Sequence, residues 1–351
     1  LGLRHLRELR GEIDDDLDEV SHGIRWWSSL SMKQRVLIGD YLLDCVRSVE
    51  GNLIEGQLHF WELLDWWQRE DAFIGKCRIV PGGQPPVLLP ARTAPVDDLH
   101  GHMIPLHVAG VARSLGSALD CLAAVIVGTL ALPRPIIRTS FSRDLMDALS
   151  ALPTLAAATT PGQRIQGAFR DAFLEELRAA GPPHWDEWVI GYRNMLVHRG
   201  RRVDMSDLVP RSATPPRAGL ERMMPSEPEL SQVEAWARWG NLLGCGQGSN
   251  FLRERAEETL RRALGATARL AARSCEQLLP VWRGRRADPT ALPQPPAQWP
   301  KIPAVAPSQF EGFLPGSYDA KPDAMLGGPN LLRRLRIAAL DKSSAPLWKK
   351  A

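Results

Sequence analysis

The stretch from about Leu99 or Leu106 to Leu132 constrains this chain more than any other. Val108, Val111, Leu115, Leu119, Leu122, Val125 and Ile126 recur at threes and fours, the period of a helix, and too many of its faces are apolar for it to lie on a surface. Such an element must be central, with other helices packed round it. Pro133 and Pro135 stop it. One residue within it is out of place: Asp120, a carboxylate whose burial is costly unless a cation meets it, and Arg193 is the candidate partner.

The rest of the pattern is also helical. Residues 3–19 carry sparse leucines and the acidic run Glu12 to Asp16, as in a solvated helix. A helix is expected from Met32 to Val49 and a third after Asn52, with Leu58, Trp61, Leu64 and Trp67 as a stripe. Phe73 to Val80 and Pro86 to Leu89, around Pro81-Gly82-Gly83, read as a small hairpin. Gln163 to Ala179 is helical, Gly181-Pro182-Pro183 breaks it, and a helix follows from about His184 with Asp186 and Glu187 in its first turn. The prolines of 204–228 suggest a long loop or arm, and Gly240 to Gly248 a connector. A long helix is expected from Ser249 to Leu279, ended by Pro280. Prolines in 287–307 mark a strap, followed by a short basic helix over 331–340.

The fold class expected is therefore mainly α: a helical bundle with a small β-hairpin insertion and a proline-rich C-terminal extension. Its divisions are 1–98 for the N-terminal helices and hairpin, 99–280 for the bundle, and 281–351 for the extension. With 351 residues, 44% hydrophobic and 24% charged, the chain can bury a core without staples. The net charge of +3 does not by itself announce a nucleic-acid binder. Cys45, Cys77, Cys121, Cys245 and Cys275 form no CxxC pair and read as reduced core residues. The apolar run Cys121 to Leu132 is too short to span a bilayer and the charged N-terminus does not read as a signal peptide, so a cytoplasmic protein without a membrane partner is expected.

The chemistry concentrates in Tyr192-Arg193-Asn194-Met195-Leu196-Val197-His198-Arg199-Gly200. Trp185, Trp188, Tyr192 and Met195 or Leu196 repeat at threes and fours and must pack inward; Glu187, Gly191, Asn194 and His198 occupy another face, with Arg193 at its edge. Cleaving RNA without a metal needs a base for the 2′-hydroxyl, an acid for the leaving 5′-oxygen and a cation for the phosphorane. A histidine titrates in the right range, an arginine offers a two-pronged cation, and an asparagine orients through its amide. Arg199, Arg201 and Arg202 form a basic rim suited to RNA phosphates, though arginines also suit any helix C-terminus. One histidine does not comfortably serve as acid and base in one step, so two copies facing each other would complete the site.

Arg193-Asn194-x3-His198 resembles the R-x4-6-H motif of HEPN domains, helical bundles that include metal-independent endoribonucleases of toxin–antitoxin, abortive-infection and CRISPR systems. Ala112-Arg113-Ser114-Leu115 and Ser117-Ala118-Leu119-Asp120-Cys121-Leu122-Ala123 resemble a helix found upstream of that motif in many bacterial relatives. The resemblance implies catalysis by Arg193 and His198 with Asn194 in support, Asp120 and Tyr192 behind them, no cofactor and no metal. It further implies a homodimer with a shared cleft, an RNA substrate, and a toxin or anti-phage defence role with an antitoxin or defence-system partner protein. Where members carry a tyrosine two residues after the histidine, this chain has Gly200.

Other readings compete. Arg193 and His198 can be structural, in a non-catalytic module that binds RNA, a nucleotide or a protein. His100 and His102, with His107 beyond and Asp97-Asp98 before them, could hold a metal for a hydrolase. Trp26-Trp27 and Trp66-Trp67 could stack bases, or pack in the core. Gly246 to Ser249 is a weak match to a phosphate cradle.

Overall fold

The computed structural model describes residues 3–75, 78–79, 87–88, 95–137, 139–198, 205–211, 217–226 and 251–295. Among them 74% are helical, in seven helices with two small antiparallel sheets. The helices are α1 (Arg4–Asp16), α2 (Met32–Ile74), α3 (Pro95–Thr129), α4 (Met146–Ser150), α5 (Pro161–Ala180), α6 (Trp185–His198) and α7 (Ala256–Ala287). β1 (Leu17–Asp18) pairs with β2 (Gly23–Ile24). β3 (Arg78–Ile79), β4 (Val87–Leu88), β5 (Met205–Arg211), β6 (Arg217–Pro225) and β7 (Phe251–Arg255) form a five-stranded sheet in the order β4-β3-β6-β5, with β7 also pairing with β6. The expected basic helix at 331–340, the strap at 296–307 and the connector at 240–248 lie outside the described residues.

Two compact units are delimited. One comprises Leu1–Leu3, Ser48–Asp120 and Ala172–Arg273, the other Arg4–Arg47, Cys121–Asp171 and Ser274–Ala351.

In the first unit α3 supplies the apolar spine expected of it, with Val111, Leu115 and Leu119 wholly buried. Its stretch His102–Thr129 is long and apolar enough to cross a membrane, longer than the run Cys121 to Leu132 suggested, yet 78% of its most apolar window is buried inside the protein. The sheet of this unit was only partly legible. The hairpin of β3 and β4 was expected, but residues 205–211 and 217–225 are not an arm: β5 and β6 pair from Met205↔Met223 to Arg211↔Arg217. Leu220 and Met224 are buried while Glu221 between them is exposed, the period-two logic of a half-buried strand. Arg222 closes the sheet onto α2, donating to Glu70 at 2.7 Å and Asp71 at 3.2 Å.

The helix expected after Ser249 begins later, because Phe251–Arg255 is committed to the sheet as β7. It also runs through Pro280 to Ala287. A proline costs a helix interior about 3 kcal/mol, but wholly buried Trp282 and Arg285 lie beyond it and hold the chain in helical register. α2 likewise continues through Gly51-Asn52, where two helices were expected. Glycine there costs about 1 kcal/mol. Val46, Val49 and Leu53, each fully buried, outweigh it at about 1.5–3 kcal/mol per side chain.

The second unit is built round a cation among indoles. Trp26, Trp27 and Trp282 meet edge to face, with ring centroids 5.2 to 5.9 Å apart. Arg285 lies over Trp26 and Trp27 at 5.5 and 5.6 Å. Its guanidinium donates to the carbonyls of Gly128, Thr129 and Leu292 and to Gln294 Oε1, all at 2.8 to 3.1 Å. Burial pulls this arginine down to about 9. α1 is not the solvated helix expected: Leu6, Leu9 and Ile13 are buried, and so is Asp16, which accepts from Trp282 Nε1 at 2.8 Å and from Arg286. Glu12 binds Arg283 and Arg286. The acidic run thus closes the unit. Capping boxes start two helices, Ser31 with Gln34 and Thr160 with Gln163.

Candidate functional site

Helix α6 is fixed at its N-terminal half by two indoles. Gly181-Pro182-Pro183 ends α5, His184 turns the chain at φ 65°, and α6 begins at Trp185. Trp185 Nε1 donates to the carbonyl of Leu177 at 3.1 Å, and Trp188 Nε1 to that of Pro225 at 2.8 Å. Trp188 stacks on buried Tyr192, with centroids 5.2 Å apart and planes 6° from parallel. Trp185, Tyr192 and Met195 point inward as their spacing requires. Asp186 is buried as well, and desolvation raises its carboxyl above the usual range against the opposing pull of nearby backbone N–H groups.

The inward anchor places Arg193 against α3. Its Nη1 donates to Asp120 Oδ2 at 2.9 Å, and each side chain is about one-fifth exposed. This is the partner that the cost of a carboxylate in an apolar helix demanded. Gly116, one turn before Asp120, makes room: a Cβ there would stand 2.9 Å from Arg193 Cγ. Arg193 Nε is buried without a hydrogen-bond partner. The guanidinium is therefore held at one end and seated on backbone at its stem. The two sequence patterns that carry the family resemblance meet through this one ion pair.

Asn194 is half-buried and follows Gly191 by three residues. His198 is the last residue of α6, the helix-end position expected, and its side chain lies outside the described residues. Arg199, Arg201 and Arg202 lie outside them too.

A cavity of about 990 Å³ opens beside the first two turns of α6 and was not foreseen. One wall is Trp185, Glu187, Trp188 and Gly191; the other is the face of α7 with Thr259, Arg262, Ala263, Ala266 and Arg269; the residues of β7 close an end. The only prior signal was the i, i+3, i+4, i+7 repeat of small and cationic residues along α7, hidden because 249–255 had been read as more helix. Glu187 and Gly191 belong to the face of α6 that continues to Asn194 and His198. Asn194 is not among the lining.

The other candidates fall elsewhere. His107 meets His59 of α2, a residue the sequence did not single out, with Nδ1 to Nδ1 at 3.0 Å. Gly110 leaves the space for the His59 ring, since a Cβ there would lie 2.5 Å from it. Burial and the neighbouring imidazole hold His107 below its usual range. His102 is exposed, and the side chains of Asp97, Asp98 and His100 lie outside the described residues. Among the described residues no group of three His, Cys, Asp or Glu is placed to hold a metal. Trp27, Trp66 and Trp67 are buried and pack in the core, and half-buried Trp26 packs against Trp27 and Trp282. Cys45 and Cys275 are buried thiols, the latter pushed up to about 12 by burial. Cys77, Cys245 and Gly246 to Ser249 lie outside the described residues.

No protein-family model matches the chain, no curated protein matches it, and no solved structure matches it.

Proposed function

We propose that the chain is a helical protein of HEPN type that cuts RNA at the C-terminal end of α6, with a composite site formed by two copies. The observation that carries this reading is the 2.9 Å contact between Arg193 and Asp120. Each residue sits in one of the two sequence patterns that carry the resemblance, and the contact joins those patterns.

In this reading the base is a histidine that takes the 2′-hydroxyl proton. The 2′-oxygen attacks phosphorus, the bond to the 5′-oxygen breaks, and the leaving oxygen receives a proton from the histidine of the second copy. Arg193 stabilises the charge gathered on the non-bridging oxygens, and Asn194 orients the phosphate through its amide. Asp120 is a positioning residue: it fixes the angle of the guanidinium. Neither a metal nor a cofactor takes part. A cytoplasmic toxin or defence effector with a protein antagonist belongs to the same proposal.

A second reading has its own support. Part of the charge of Arg193 is already compensated by Asp120, which suits a scaffold arginine in a module that binds without cutting. RNA incubated with the full chain in EDTA separates the two. Cleavage that survives the chelator and disappears in His198→Ala supports the enzyme; undiminished cleavage in that variant removes it. RNA that stays intact but binds with steep salt dependence supports the binding module. Arg193→Lys, checked for folding by thermal melting, retains the charge and loses the fork, so a selective loss of rate assigns the guanidinium geometry to the reaction.

A further inference from the structure

The cavity beside α6 has a chemistry of its own. The indole N–H groups of Trp185 and Trp188 are already spent on the carbonyls of Leu177 and Pro225. What these side chains present to the cavity is flat apolar surface, held in fixed orientation. Opposite them Ala263 and Ala266 form a floor with almost no side chain, so a planar group has room between floor and wall. The volume of about 990 Å³ is at the upper end of the range of about 300 to 1,000 Å³ typical of small-molecule sites.

Charge stands at the ends of this slot. Arg262 and Arg269 are seven residues apart on one face of α7, about 10 Å along its axis at about 1.5 Å per residue. Arg262 is neutralised by Glu254 at 2.8 Å and Glu258 at 2.5 Å. Arg269 is exposed and donates to the carbonyl of Ala180, a neutral acceptor that leaves its charge uncompensated. Arg253, on β7, is exposed and makes no ion pair among the described residues. A flat slot of indole and alanine, with two guanidinium groups at its edge that make no ion pair among the described residues, suits a ligand with an aromatic ring and an anionic group.

We infer that this cavity binds one nucleotide unit, its base between Trp188 and the alanine floor and its phosphate at Arg253 and Arg269. The cavity is also lined by Glu187 and Gly191, on the face of α6 that continues to Asn194 and His198, so a strand with one base lodged against Trp188 has a path past them toward the end of that helix. The cavity would then choose where RNA is cut. That last step rests on the RNA reading above; nucleotide binding itself does not.

Binding is measured on the full chain carrying His198→Ala, which keeps RNA whole, by calorimetry at fixed salt with a short single-stranded oligoribonucleotide and, separately, a 5′-mononucleotide. In that background Trp188→Ala is expected to weaken binding about five- to hundredfold, and Trp188→Phe to restore most of it. Arg253→Ala, at an exposed position, is expected to lower the slope of log affinity against log salt by about 0.7 for a single strand. Binding of the oligoribonucleotide with this dependence supports the strand subsite; binding of the mononucleotide with it supports a free nucleotide as occupant. If neither ligand binds, or if binding is indifferent to Trp188 and Arg253 while thermal melting shows folded variants, the inference is overturned. Cleavage by the parent chain that continues unchanged in Trp188→Ala would overturn the cavity's part in choosing the cut and leave the cleavage reading intact.

Discussion

Arg193 of α6 reaches α3 through a hydrogen-bonded ion pair, Nη1 to Asp120 Oδ2 at 2.9 Å, with both side chains about four-fifths removed from solvent. Exposed ion pairs are worth about 0.2–1 kcal/mol; breaking one this sheltered leaves a charge without its partner. Asp120→Asn is expected to destabilise the protein by about 1–3 kcal/mol. A double-mutant cycle with Arg193→Met, read by urea unfolding, should give a coupling energy above about 1 kcal/mol. Simple additivity of the two substitutions would refute it.

Gly116 supports the same pair from below. In Gly116→Ala the new methyl carbon lies 2.9 Å from Arg193 Cγ, so the arginine must shift. The expected cost is about 1–3 kcal/mol by overpacking. In an Arg193→Ala background the contacts with Cγ and Nε are gone and only the one with Cβ, at 3.1 Å, remains, while the helix preference for alanine contributes about 1 kcal/mol in the stabilising direction. The substitution therefore costs less in the Arg193→Ala background than in the parent chain, which denaturant unfolding checks directly; an equal cost in both would contradict the contact.

The pair His59 and His107 predicts a pH dependence. His107 is held below its ordinary range, first by burial and then by the neighbouring imidazole. The unfolded chain therefore binds its proton more readily than the folded one. Stability from this site is full above about pH 6.5, the unfolded value, and declines as pH falls through it toward the lower folded value. His107→Gln should flatten that part of the curve of melting temperature against pH. An unchanged slope in the variant would contradict the assignment.

Arg285 is wholly buried and satisfies four acceptors. Arg285→Leu leaves the carbonyls of Gly128, Thr129 and Leu292 without their donor and removes the cation from the indoles. A loss of about 3–5 kcal/mol is expected in chemical denaturation. Arg283→Ala, two residues away and half exposed in its pair with Glu12, is expected to cost about 1 kcal/mol or less.

Strong periodicity was legible from sequence, as in α3 and in the inward face of α6, because burial repeats at 3.6 residues whatever the partner. The Asp120 contact was legible for a different reason: the desolvation cost of a carboxylate demands a cation, and the list of candidates was short. Punctuation misled. Gly51-Asn52 and Pro280 look like helix ends, yet each local cost of about 1–3 kcal/mol is smaller than the burial secured by continuing. The β5–β6 hairpin was hidden by its prolines, since Pro210 and Pro225 sit at strand positions that local rules demote. His59 was invisible because its partner is 48 residues away and nothing near it in sequence announces the contact. The cavity could not be seen without the sheet that closes it.

The tied indoles of the α6 wall have a thermodynamic consequence. Trp185 and Trp188 have already surrendered their rotational freedom to the carbonyls of Leu177 and Pro225. A planar guest arriving against them forfeits mainly its own motion, because neither indole has to be frozen at the moment of arrival. Selectivity there is consequently a matter of shape: the slot does not widen for a poor fit, and a ring that does not lie flat finds no second arrangement of the wall to receive it.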